Sequence, residues 1–218
     1  MITAVAFDMD GLMFDTEAVY QRVGVELMRR RDCDYPAELC YSVMGTPPQQ
    51  SFETMIRWHN LGDTWEQLKE ESDVLFLEYL REGFEMMPGL PELLDELERR
   101  NIPKCICTSS SKNLVTEVLN VYNMQPRFKF IMTAEDILFG KPNPEIYLKA
   151  AKRFEVEPAK MMVLEDSTLG CRAAVDAGAF AVIVLAEHNR TRDFSNAALI
   201  ADRLDSPVII KKLVKSLK

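Results

Sequence analysis

Short apolar runs alternate with helical patterns along most of this chain, and that alternation limits the fold more than any other feature. Thr3–Phe7, Ile102–Cys107, Phe128–Met132, Met161–Leu164 and Ala181–Leu185 are apolar or β-branched and stopped by polar or turn residues, as strands are. A weaker sixth run lies at Leu199–Ala201. Between them come helical repeats. Leu90–Arg100 carries Leu90, Leu93, Leu94 and Leu97; Leu114–Tyr122 and Ile146–Phe154 repeat apolar residues at similar spacing, and Cys171–Ala177 is small and apolar. The pattern predicts an α/β fold: a doubly wound, Rossmann-like parallel sheet with helices on both faces.

One interval breaks the rhythm. About eighty residues without a strand signal separate the first strand from the helix at Leu90, whereas a parallel crossover needs only about a dozen. Helical patterns near Glu17–Arg30, Gln50–His59 and Trp65–Arg81 fill this stretch. The expected organisation is a catalytic α/β core formed by residues 1–15 and 88–218, with an inserted all-helical cap domain over 16–87. At the far end, Lys211, Lys212, Lys215 and Lys218 alternate with Ile209, Ile210, Leu213, Val214 and Leu217, which predicts a last amphipathic helix with a solvated basic face.

Charge and cysteine content exclude several function classes. Lys plus Arg is 26 against 34 Asp plus Glu, a formal charge of −8. Such a chain lacks the basic footprint that nucleic acid requires, and the acidic charge suits a monomer. No apolar run approaches the roughly 18 residues of a membrane span, and Met1–Asp8 has no basic region typical of a secretory signal. Five cysteines at irregular spacings, an odd number, fit reduced thiols in a cytoplasmic setting. Cys105 and Cys107 fall on one face of a strand, where core packing accounts for both.

Doubly wound sheets bind ligands beyond the carboxyl ends of their strands, and those ends carry the chemistry here. The first strand runs into Asp8-Met9-Asp10-Gly11 and the fourth into Glu165-Asp166-Ser167. Asp8 and Asp10 alone could be turn and cap residues. Four carboxylates at one sheet edge, however, repel one another unless a cation intervenes, and hard oxygen ligands suit Mg²⁺. The second strand leads into Thr108-Ser109-Ser110-Ser111-Lys112-Asn113 before a helix. This is either an anion site of hydroxyls and free amides, or a helix simply capped by Ser111. After the third strand comes Gly140-Lys141-Pro142-Asn143-Pro144-Glu145. Asn143 suits an N-cap, Pro144 a first helical turn, and Pro142 disfavours a helical Lys141. Lys141 is then either a positioned charge for phosphate or a surface lysine in a rigid turn.

These segments, in this order, resemble the haloacid dehalogenase-like hydrolase superfamily, in its branch of phosphoglycolate-phosphatase-like and β-phosphoglucomutase-like proteins with a helical cap. The carrying residues are Asp8-Met9-Asp10-Gly11-Leu12 with Asp15-Thr16-Glu17, Thr108-Ser109-Ser110, Gly140-Lys141-Pro142-Asn143-Pro144-Glu145, and Glu165-Asp166-Ser167 with Gly170, Ala173-Ala174 and Ala177-Gly178. The resemblance implies Asp8 as a nucleophile that becomes an aspartyl phosphate, and Asp10 as the general acid–base. It implies Ser109 (or Thr108), the Ser110 amide and nearby Asn113 as phosphate-binding groups, and Lys141 as the charge that neutralises the phosphoryl group and orients Asp8. It further implies a Mg²⁺ cofactor on Asp8, the Asp10 backbone carbonyl and Asp166, with Glu165 as a ligand or supporting partner.

The implied activity is a Mg²⁺-dependent phosphatase acting on a small phosphorylated metabolite, with no nucleic-acid or membrane partner. A phosphomutase is the alternative of the same fold. Against it, the loop from Met44 to Ser51 has no Lys or Arg, and Tyr20 stands where β-phosphoglucomutases carry histidine, four residues after the threonine matching Thr16. Within this cap region Thr16, Tyr20, Gly45 and Gln49 are the expected substrate contacts; Arg57, Trp58 and His59 are either further contacts or, as the favoured reading, helix surface and cap packing. A receiver-like phosphorelay domain would be about half this length and lack the insertion, and a retired binding protein would not keep every position that the chemistry needs.

Overall fold

The structure, a computed structural model, describes residues 1–44 and 46–213. In chain order its main elements are β1 (Ala4–Phe7), α1 (Thr16–Arg29), α2 (Ala37–Val43), α3 (Pro48–His59), α4 (Trp65–Glu82), α5 (Leu90–Arg99) and β2 (Lys104–Cys107). There follow α6 (Lys112–Val121), β3 (Phe130–Met132), α7 (Glu145–Phe154), β4 (Met161–Glu165), α8 (Thr168–Asp176), β5 (Phe180–Val184), β6 (Leu199–Ala201) and α9 (Pro207–Lys212). The chain divides into two compact units, Met1–Asp15 with Glu85–Lys218, and Thr16–Phe84.

The first unit is an α/β sheet domain. Its six strands are all parallel, in the order β3-β2-β1-β4-β5-β6. Strands buried on both faces read as continuous apolar runs, which is why the sequence shows them so plainly. On one face Ala4, Ala6, Cys105, Cys107, Met161, Val163 and Ala181 pack with Ile146, Tyr147 and Ala150 of α7 and Ala173 and Ala174 of α8. The Cys105 and Cys107 thiols lie 3.7 Å apart within that core. The alternate residues Val5, Phe7, Ile106, Leu164 and Val182 are also fully buried, so the second face is covered too.

Strand limits differ from the sequence reading by one or two residues, for local reasons. β2 begins at Lys104 because Pro103 has no N–H to enter the ladder, though its carbonyl accepts from Val5. β3 begins only at Phe130, after a 3-10 turn over Gln125–Arg127. Lys215 and Lys218, expected on the basic face of the last helix, lie outside the described residues along with Val214 and Leu217.

The second unit holds four helices among its described residues, with α1 against α4 and α3 against both α2 and α4. A capping box starts α4: the Thr64 hydroxyl accepts from the Gln67 N–H, and the Gln67 side chain accepts from the Thr64 N–H. Arg31 ties α1 to the start of α4 by pairing with Asp63 at 2.6 Å and Glu71 at 2.8 Å. Helix α2 has no counterpart in the sequence reading. It follows Pro36 and is too short for an apolar repeat to show twice. No helix among the described residues is long and apolar enough to cross a membrane.

Candidate active site

Parallel register aligns the strand ends that carry the chemistry. Phe7 of β1 pairs with Leu164 of β4 and Ile106 of β2, so Asp8, Thr108 and Asp166 leave the sheet at one margin. The Asp8 N–H still bonds to the Leu164 carbonyl at 3.0 Å, which holds Asp8 at the β1/β4 switch of strand order. The backbone then turns at Gly11, whose φ is +72°. A Cβ at Gly11 would overlap the Asp166 carboxylate, so this turn requires glycine twice over.

Asp8 meets Lys141. The lysine Nζ donates to Asp8 Oδ1, to Glu165 Oε1 at 2.6 Å and to the Cys107 carbonyl at 3.1 Å. An ammonium has three hydrogens, and here each has an acceptor. The loop carrying Lys141 is fixed where α7 begins. Asn143 Oδ1 accepts from the Glu145 N–H at 3.0 Å, and the Glu145 carboxylate accepts from the N–H groups of Leu138 and Phe139. The Lys141–Pro142 peptide is cis. Of the two sequence readings of Lys141, the surface lysine is excluded, since its side chain is 6% exposed.

Glu165 is fully buried, and both its oxygens are engaged. Oε1 accepts from Lys141 and from the Tyr147 hydroxyl at 2.6 Å; Oε2 accepts from the N–H groups of Asp166 and Ser167 and from the Ser167 hydroxyl. A Cβ at residue 170 would overlap this carboxylate, which accounts for Gly170 at the start of α8. Asp10 faces a different neighbourhood. Its Oδ2 accepts from Thr108 Oγ1 at 3.1 Å and Ser110 Oγ at 2.7 Å.

The charges are far from independent. Burial, above all, raises Asp8 well above the usual carboxylate range; Glu165, Asp166 and Asp10 add to the rise and Lys141 opposes it. Burial likewise raises Asp166, against the pull of His188. Burial also acts to raise Glu165, but Lys141, Tyr147 and Ser167 together hold it below its ordinary value. For Lys141, burial disfavours the charge, yet Asp8 and Glu165 prevail and raise it above the usual lysine range.

One oxygen each from Asp8, Glu165 and Asp166 lies within 4.8 Å of the others. Two buried carboxylates whose ionisation is resisted, in an all-oxygen donor set, fit a hard divalent cation. With both oxygens of Glu165 committed, Asp8 and Asp166 are the carboxylates left to face such an ion. The four acids of the sequence reading therefore separate. Three converge, and the Asp10 carboxylate stands apart on two hydroxyls.

The remaining sequence-selected residues fall as follows. Ser109 is exposed in the turn after β2, and Asn113 is exposed in the first turn of α6. Ser110 spends its N–H on Thr108 Oγ1 and its hydroxyl on Asp10, so neither donor is turned outward to an anion. Ser111 occupies the N-cap position of α6 but makes no side-chain cap. The Glu135 carboxylate takes that place, accepting from the Lys112 N–H at 3.1 Å. Thr16, Tyr20 and Gln49 belong to the helical unit. Thr16 is buried at the start of α1, Tyr20 lies with its ring 4.4 Å from Phe76, and Gln49 donates to Glu53 on α3. Gly45 lies outside the described residues.

Tyr147, His188 and Asn189 are site residues that the sequence reading missed. Tyr147 left a trace, because a tyrosine on the buried stripe of α7 needs a partner for its hydroxyl. His188 and Asn189 sit in a polar connection after β5 and left none.

The family profile for haloacid dehalogenase-like hydrolases matches residues 5–184. The chain belongs to the haloacid dehalogenase-like hydrolase family. This hydrolase is 31% identical over 179 residues to the "Phosphorylated carbohydrates phosphatase" of Thermotoga maritima, covering 80% of this chain and 81% of that one. It is also 31% identical over 192 residues to the "Probable pseudouridine-5'-phosphatase" of Drosophila melanogaster, covering 84% and 81%. The crystal structure of β-phosphoglucomutase from Clostridium difficile superposes with a TM-score of 0.79 at 26% identity, covering 97% of this chain and 96% of that one. The hydrolase thus sits in the family's phosphatase and β-phosphoglucomutase branch, and its curated relatives support a haloacid dehalogenase-like phosphatase as its enzyme class.

Proposed function

We propose that this protein is a Mg²⁺-dependent phosphatase that hydrolyses a small phosphomonoester, a sugar phosphate or similar metabolite, through an aspartyl phosphate. The observation that carries the reading is the Lys141 ammonium spanning buried Asp8 and Glu165 beside Asp166, with Asp10 held on Thr108 and Ser110.

Asp8 attacks phosphorus and carries the phosphoryl group. Using a carboxylate nucleophile divides one difficult displacement into two easier ones. Asp10 protonates the departing oxygen and then takes a proton from the hydrolytic water, its carboxylate aimed by Thr108 and Ser110. Lys141 and the Ser109 hydroxyl hold phosphoryl oxygens, with Asn113 nearby, and the lysine charge offsets the repulsion between a carboxylate and a phosphate dianion. The Asp8 and Asp166 carboxylates and the Asp10 carbonyl would hold Mg²⁺, which supplies charge neutralisation for the phosphoryl group as it transfers. Glu165 keeps Lys141 and the backbone of Asp166 in place. Thr16, Tyr20, Gly45 and Gln49 in the helical unit are assigned to choosing the leaving group. The neutral loop from Met44 to Ser51 favours a phosphatase over a mutase, which must grip phosphate at both ends of its substrate. The free cysteines support a reducing, cytoplasmic setting, and the acidic charge a monomer.

A panel of phosphorylated metabolites, assayed for inorganic phosphate, tests this reading. Release is expected with Mg²⁺, abolished by EDTA and restored by added Mg²⁺. Turnover that survives EDTA would count against the acidic site as a metal site. A hexose 1-phosphate given with a bisphosphate activator is expected to yield phosphate. Formation of the 6-phosphate instead would make the protein a mutase.

A further inference from the structure

A turn after β5 reaches back to the acidic site. Glu187–Asn189 forms a single 3-10 turn. Asn189 is buried and fixes it: the side-chain amide donates to the Asp166 carbonyl at 2.8 Å and the Val184 carbonyl at 3.1 Å, while its Oδ1 accepts from the Ala186 N–H at 2.9 Å. The turn is thereby bound to the ends of both β4 and β5. It carries His188, whose Nε2 lies 2.8 Å from Asp166 Oδ2. A carboxylate only accepts, so Nε2 bears the hydrogen, and the neutral ring suffices for the bond. Gly11 makes the room. A Cβ there would overlap Asp166 Oδ2 and come within 3.3 Å of His188 Nε2. Three segments distant in the chain therefore meet on one carboxylate.

His188 is not part of the group of acids close enough to share an ion. Its bond instead fixes how Asp166 presents itself. We propose that His188 is a positioning residue: by holding Asp166 Oδ2, it keeps the other oxygen of that carboxylate turned toward Asp8 and so sets the affinity of the site for its divalent cation. The inference rests on the reading of Asp8 and Asp166 as cation ligands. Hydrogen bonds to ligating side chains are worth about 10- to 100-fold in metal affinity. Asn189 anchors the turn through the backbone, so His188 can be changed without releasing it.

Calorimetric titration of Mg²⁺ into the metal-free full chain tests this. The variants are His188→Leu, which removes the donor, His188→Gln, which offers an amide N–H at similar reach, and Asp166→Asn as a control, with circular dichroism as a check on folding. His188→Leu is expected to weaken Mg²⁺ binding by about 10- to 100-fold, and His188→Gln to restore most of it. At saturating Mg²⁺, kcat should recover in His188→Leu, with KM for the phosphorylated substrate unchanged. If the wild type binds Mg²⁺, Asp166→Asn does not, and folded His188→Leu binds as tightly as the wild type, the positioning role is overturned and the metal site stands. If the wild type itself binds no Mg²⁺, the metal site falls and the inference with it.

Discussion

Asp8→Asn is expected to cut phosphate release by at least about 10⁴-fold, because it removes the proposed nucleophile rather than a group that assists one. Asparagine keeps the shape of the side chain and an oxygen that can accept from Lys141, so circular dichroism should show an unchanged fold. Stability should not fall with activity. Burial and three neighbouring acids already oppose charge at Asp8, so the neutral amide should leave the metal-free Tm level or raise it. Calorimetric Tm and a phosphate-release assay on the same preparation measure both effects. Near-wild-type turnover would remove Asp8 from the reaction.

Lys141→Met is expected to do the opposite to stability. Methionine fills a similar volume but leaves Asp8 and Glu165 buried with no cation between them. Removing one partner of a buried ion pair costs about 3–5 kcal/mol. For a domain of this size that lowers Tm by roughly 6–20 °C. Activity should fall as well, by about 10²- to 10³-fold, through loss of the charge proposed to face the phosphoryl group. Added Mg²⁺ should recover part of the Tm loss, since a cation on Asp8 would relieve some of the uncompensated charge. A metal-free variant as stable as the wild type would mean that Lys141 is not the charge holding this cluster together.

The two variants also separate what the sequence made legible from what it did not. Strand positions were readable because burial on both faces leaves unbroken apolar runs such as Ala4–Phe7 and Met161–Leu164. Residues just past those runs, Asp8, Asp10 and Asp166, stand out because strand ends of a doubly wound sheet are where ligands bind, and the structure brings Asp8 and Asp166 together with Glu165. Partnership was not. Nothing in the order of residues tells that Ser110 turns to Asp10, that Glu135 takes the helix end that Ser111 could have capped, or that Tyr147 and Ser167 use up Glu165. Those facts depend on which rotamers the packed interior allows. Helix α2 was lost for a simpler reason: its seven residues, about two turns, are too few for a period to be recognised.

The crowding around Lys141 bears on how an anion arrives. Every hydrogen on the ammonium is already placed, on a peptide oxygen, on Glu165 and on Asp8. On the proposed reading, an incoming phosphoryl oxygen would find no idle donor here and would have to displace a resident one. The carbonyl of Cys107 cannot yield without breaking the end of a strand, and Glu165 is tethered by Tyr147. Asp8 alone is in a position to let go. If Asp8 is the nucleophile proposed above, the lysine would work as a latch on that carboxylate, opened by the very group that the carboxylate is to attack.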